Sequence, residues 1–84
     1  MINVRNYELV KAIGEKIREV RISKGLSQEE LSYESDLPLS QIGRIERGEN
    51  NPTISSLYAI AKALKVDLKA IIDISFQEKS NKKK

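Results

Sequence analysis

Residues 28–48 read QEELSYESDLPLSQIGRIERG, two short helical patterns separated by a break at Ser35 to Pro38. No other stretch constrains the chain as tightly, and the remainder reads as a brace that holds this pair at a fixed angle. Ser27, with Glu30 three residues later, makes the S-x-x-E capping pattern that starts the first helix of the pair. Leu31 faces inward from it. Asp36 falls in the break, and aspartate tolerates the left-handed backbone better than most non-glycine residues. Pro38 has no N–H to donate, so it suits a helix start. The second helix is expected from about Leu39 to Arg47, with Ile42 and Ile45 inward and Gly48 stopping it.

The brace is written in the same period. Before the pair, Leu9, Val10, Ile13, Ile17 and Val20 predict a helix over Leu9 to Lys24; Ile13, Ile17 and Val20 are spaced four then three. Gly14 lowers helix propensity inside it and marks a point of close approach by another helix. Gly25 caps its end. After the pair, Thr53 caps a fourth helix over Ile54 to Leu64, whose core stripe is Leu57, Ile60, Ala61 and Leu64. Asp67 caps a short fifth helix carrying Leu68, Ile71 and Ile72. With no convincing strand and no internal repeat, the expected architecture is a compact all-α five-helix domain over residues 9–77. Residues 1–8 read as an N-terminal arm or the start of helix 1, and residues 78–84 as a basic, disordered tail.

Composition then removes whole classes of function. The 84 residues make one domain with one small core, without cysteine or histidine. Disulfides, thiolate metal sites, the common zinc sites and Ser-His or Cys-His nucleophile pairs are thereby excluded. The glycines stand separately, as helix residues or caps, so no phosphate-binding loop is present; neither an enzyme nor a cofactor is expected. The formal net charge is +3, and Lys79, Lys82, Lys83 and Lys84 against Glu78 supply all of it. The body is neutral, so only the placement of its charges can argue for a nucleic-acid partner. No apolar run approaches the ~20 residues of a membrane span. The first residues lack a signal-peptide core, and a cytoplasmic location is the expectation.

Two helices joined by a three- or four-residue turn match the helix-turn-helix motif. Counting Gln28 as its first residue, Leu31 is the inward fourth and Ser32 the fifth, where a small side chain lets the helices approach. Leu37, Ile42 and Ile45 fill the other core positions, which leaves Leu39, Ser40, Gly43 and Arg44 on the outer face. Gln28 stands beside the free N–H groups of a helix N-terminus, where a phosphate fits. The segments LSQEEL and IGRIERGENNPTISSLYAIAKALKV closely resemble the phage-repressor-like helix-turn-helix family, also called Xre or lambda-repressor-like. The likeness covers roughly Ile13 to Ile72. It implies a sequence-specific transcriptional regulator that binds double-stranded DNA with helix 3 in the major groove.

By that resemblance, Leu39, Ser40, Gly43 and Arg44 face the bases. Gln28, Gln41, Asn50, Asn51 and Thr53 match phosphate-contacting or groove-edge positions, and Arg21 pairs with Glu46. The chain departs from the family at Asp36, where glycine is frequent, and at Leu39, where many members are polar. Leu39 either touches a thymine methyl or packs on the turn. Arg44 is the best candidate for direct readout, since arginine can bond guanine O6 and N7 together; the alternative is an exposed helix charge paired with Glu46 or Glu49. Arg47 has either a phosphate role or a structural one at the helix end. Ile71, Ile72, Ile74 and Phe76 are many apolar residues for one chain end; some complete the core, and the rest are candidates for a homodimer interface. Only the tail follows helix 5, so no ligand-sensing domain is expected. The competing readings are an antitoxin that also masks a protein partner, and a helical adaptor that acts through protein contacts alone.

Overall fold

Short polar side chains start three of the helices. In the computed structural model, which describes residues 6–73, Asn6 Oδ1 accepts the Leu9 N–H at 2.9 Å. Helix α1 therefore spans Tyr7–Ser23, beginning two residues before the apolar stripe. Ser27 Oγ accepts the Glu30 N–H at 3.0 Å while Glu30 Oε1 accepts the Ser27 N–H at 2.8 Å, the reciprocal pair expected at the start of α2, Gln28–Ser35. Thr53 Oγ1 accepts the Ser56 N–H at 3.0 Å and opens α4, Ile54–Leu64. Asp67 occupies the N-cap of α5, Leu68–Ile72, but makes no side-chain capping bond. Helix α3, Leu39–Glu46, begins differently: Pro38 is its N-cap, and the Pro38 carbonyl accepts from Gln41 and Ile42 at 3.0 and 3.1 Å. Among the described residues there is no strand. Residues 1–5 of the expected arm, Ile74, Phe76 and the expected tail lie outside the described residues.

The helix ends turn through left-handed residues. Gly25 and Gly48 lie at φ +75° and +74°, and two non-glycine residues, Asp36 and Lys65, at φ +61° and +63°. An L side chain is strained there, less so for aspartate than for lysine. Lys65→Gly is expected to raise stability by about 0.5–1 kcal/mol, and Asp36→Gly by less. Urea midpoints of the two variants check the order; a Lys65→Gly protein no more stable than the parent would show that the turn stores no strain.

All five helices contribute to one core. Ile17, Leu31, Ile42, Ile45, Ile60, Leu64 and Ile71 are fully buried. Helix α1 packs on α3, α4 and α5; α2 packs on α3 and α4; α4 packs on α5. Helix α3 is thus wedged between α1 and α2. Gly14 supplies the close approach: a Cβ there would overlap the Ile45 carbonyl oxygen and stand 2.8 Å from that of Glu46. The turn of the helix pair is fastened by Ser32 Oγ, which donates to the Leu37 carbonyl at 2.6 Å.

Two apolar positions that the spacing left open are settled in the fold. Leu9 points outward, 39 % exposed, while its neighbour Val10 is buried. Ile71 is fully enclosed, so it is one of the residues that complete the core and not a surface for a dimer; Leu68, three residues earlier on α5, packs partly buried against the same core. Ile72, beside it, is 44 % exposed. Among the described residues no helix is long and apolar enough to cross a membrane.

Candidate nucleic-acid interface

Helix α3 has two unlike faces, and the inner one explains the position of the outer one. Ile42 and Ile45 are sealed in the core, and Glu46 is buried with them. A buried carboxylate needs a matched partner, since an unpaired charge in such a place costs several kcal/mol (~3–5). Arg21 of α1 supplies it: Nε donates to Glu46 Oε2 at 2.6 Å and Nη2 to Oε1 at 3.1 Å. Arg21 Nη1 donates to the Leu26 carbonyl at 2.7 Å, which ties the α1–α2 loop to the same pair. Gln28, the first residue of α2, adds a fourth bond, from Nε2 to Glu46 Oε1 at 2.9 Å. One carboxylate at the end of α3 therefore binds α1 and α2 together. Gln28 directs its amide inward to this network, not out toward solvent.

The outer face is bare. Leu39 is 42 % exposed, and Ser40 and Arg44 are exposed beside it. Gly43 lies on the same face, yet it is buried, because the Arg47 side chain folds back over it. A Cβ on Gly43 would stand 3.0 Å from Arg47 Nη1, 3.8 Å from Cζ and 3.9 Å from Nη2. Arg47 is held in that pose by Glu49: Nε donates to Oε2 at 2.9 Å and Nη2 to Oε1 at 3.2 Å. The hydrogen bond from Arg47 keeps the Glu49 carboxyl below its ordinary range, and the Arg44 charge acts in the same direction. The same bond raises Arg47 in return.

A second polar cluster joins α3 to the start of α4. Gln41 Nε2 donates to Ser56 Oγ at 3.3 Å, and Thr53 Oγ1 donates to the same hydroxyl at 3.1 Å. Gln41 and Thr53, drawn from distant parts of the sequence, thus meet at Ser56. Asn50 is half-buried and Asn51 exposed in the loop between them. Leu39, Ser40, Gly43 and Arg44 share one side of α3, and Arg47 joins them through Gly43.

Sequence reasoning missed Ser56, and it offered Glu49 as a partner for Arg44 where the structure pairs it with Arg47. Glu49 lies two residues beyond Arg47 across the Gly48 turn, a spacing that gives no signal when pairs are sought at helical intervals of three and four. Ser56 had one available signal: it is three residues after the Thr53 cap, where its own N–H is already engaged.

Comparisons with known proteins agree with this arrangement. A helix-turn-helix family model (HTH_3) matches residues 17–71. The control protein C.BamHI of Bacillus amyloliquefaciens is 41 % identical over 63 residues, covering 74 % of this chain and 78 % of that protein. The crystal structure of the restriction-modification controller protein C.AhdI from Aeromonas hydrophila superposes with a TM-score of 0.73 at 38 % identity, over 79 % of this chain and 98 % of that one. The controller protein C.Esp1396I, solved as a tetramer with its natural 35-base-pair operator, gives a TM-score of 0.73 at 37 % identity, over 77 % of this chain and 86 % of that one. The packing of α2 and α3, the match over both, and these relatives place the chain in the phage-repressor-like group of the helix-turn-helix family, to which it belongs.

Proposed function

We propose that this chain is a cytoplasmic, sequence-specific transcriptional regulator that binds double-stranded DNA as a homodimer, with α3 in the major groove. The observation that carries the reading is the asymmetry of α3. Its inner face is locked by Ile42, Ile45 and the Arg21–Glu46 pair, while its outer face presents Ser40 and Arg44 to solvent. The operator complex of C.Esp1396I supports DNA as the partner and an oligomer as the binding form. Because the Gln28 amide is engaged with Glu46, its phosphate role falls to the backbone N–H groups at the start of α2. Asn50 and Asn51 retain side chains for the groove edge. Gln41 and Thr53 act through the geometry of the α4 start, where their side chains meet at Ser56.

Ile72 is the described residue left for a two-fold interface around α5. Such a dimer would set two copies of α3 about 34 Å apart, one turn of DNA. Selection of bound sequences from random DNA tests the whole reading: the expected result is a palindrome with regular half-site spacing. Enrichment of no sequence would overturn it.

Arg44 is the principal base reader in this proposal. Arg44→Ala should lose about 1–3 kcal/mol of discrimination at one base pair per half-site and leave the other positions of the selected site intact. A variant that returns the parental site unchanged would remove Arg44 from the reading set.

A further inference from the structure

Gly43 occupies a base-facing position but has no side chain to read with. The space is not empty, since the Arg47 guanidinium lies across it. We infer that Arg47, seated over Gly43 and oriented by Glu49, is a second specificity-determining residue that reads a guanine through the end-on edge of its guanidinium. This rests on the DNA-binding reading above and assigns a further contact within the same surface.

The argument is one of donors. A guanidinium has five N–H groups in a fixed plane, arranged along a side-on edge (Nε with Nη2) and an end-on edge (Nη1 with Nη2). Glu49 takes the side-on edge with both carboxylate oxygens. The end-on edge remains, and Nη1 is the atom nearest to Gly43 on the outer face of α3. Two parallel N–H groups on that edge match O6 and N7 of guanine. Glu49 is the positioning residue: by fixing the side-on edge it lowers the rotamer freedom that a long side chain loses on binding. Glycine at 43 lets the guanidinium lie against the helix; a Cβ would stand 3.0 Å from Nη1 and shift it by a few tenths of an ångström out of line. The ion pair is exposed on both sides, 58 % for Arg47 and 52 % for Glu49, so its role lies in orientation and not in holding the fold.

A phosphate contact by Arg47 is the competing outcome, and the two differ in what they do to sequence preference. Random-sequence selection and salt titrations on the full chain should be run for the parent, Arg47→Ala, Arg47→Lys, Glu49→Ala and Gly43→Ala. Direct readout predicts that Arg47→Ala and Arg47→Lys both lose preference for one guanine, distinct from the base pair read by Arg44, by roughly 5- to 150-fold. Glu49→Ala and Gly43→Ala should lose preference at that same base pair, with overall affinity held or raised for Glu49→Ala. Thermal melts of all four should stay near the parent, which separates this from a folding defect. If Arg47→Ala instead weakens all sequences equally and lowers the salt slope by about 1, with Arg47→Lys restoring binding, the inference is overturned and Arg47 is a phosphate contact. Unchanged preference in Glu49→Ala overturns the positioning role. A parent chain that selects no sequence would fail the underlying reading instead.

Discussion

Replacing Glu46 with alanine is expected to destabilise the domain by about 3–5 kcal/mol, the largest effect of any single polar substitution in it. The Arg21 guanidinium would remain buried, its side chain 11 % exposed, with only the Leu26 carbonyl to satisfy it. Gln28 would lose its acceptor at the same time. Against the ~5–15 kcal/mol that holds a typical domain folded, such a loss removes from about a fifth to all of the stability. Urea denaturation measures it directly. Removing both charges tells more: an apolar pair such as Arg21→Met with Glu46→Leu should recover most of the loss, because the penalty comes from an unmatched charge. A single variant that loses under ~1 kcal/mol, the usual worth of an exposed pair, would show that water reaches the site.

Gly14→Ala is the second large effect, and its sign runs against helix propensity. Alanine is ordinarily favoured over glycine inside a helix by about 1 kcal/mol, so a survey of propensity alone would choose it as a stabilising change. In this fold the new methyl meets the carbonyl oxygens of Ile45 and Glu46, which are backbone and cannot swing aside. Helices α1 and α3 must separate, and the Arg21–Glu46 bonds lengthen with them. A net loss of about 1–3 kcal/mol is expected, seen as a fall in melting temperature of roughly 5–20 °C. Gly43→Ala is the internal control, since the Cβ there meets only the far end of Arg47; its melting temperature should hold or rise. A Gly14→Ala protein as stable as the parent would mean that α1 and α3 slide freely past one another.

The helices themselves were legible because their signals are local. Ser27 with Glu30, Thr53 and Gly25 fix ends within a few residues, and the spacing of Ile13, Ile17 and Val20 fixes a face. Residues 1–8 read as an arm or as the start of helix 1; Tyr7 and Glu8 belong to the helix, and because Asn6 precedes the apolar stripe only its bond to the Leu9 N–H marks this. What the sequence left open was decided across the fold. Whether Gln28 points to solvent or to Glu46 depends on how α2 meets α3, and residues 18 apart carry no periodic signature of it. Ile71 and Ile72 are adjacent and equally apolar, yet one is in the core and the other half outside, a choice made by the orientation of α5 against α1 and α4. The pairing of Arg47 with Glu49 depends on the backbone reversal at Gly48, which sets a charge beside its partner at a spacing no helix would allow.

The two-faced character of α3 bears on how such a protein changes its target over evolutionary time. Residues 39, 40 and 44 are exposed and outside the core, so with the base-facing role proposed for them, substitutions there would explore new operators at almost no penalty to folding. Positions 43, 47 and 49 are a different case. In the readout proposed for Arg47, a side chain at 43 would shift the arginine, and an arginine at 47 without a carboxylate at 49 would lose its aim. Those three positions are expected to change as a set, so a lineage would drift through neighbouring operators by single steps at the first group and cross to distant ones only by a joint replacement at the second.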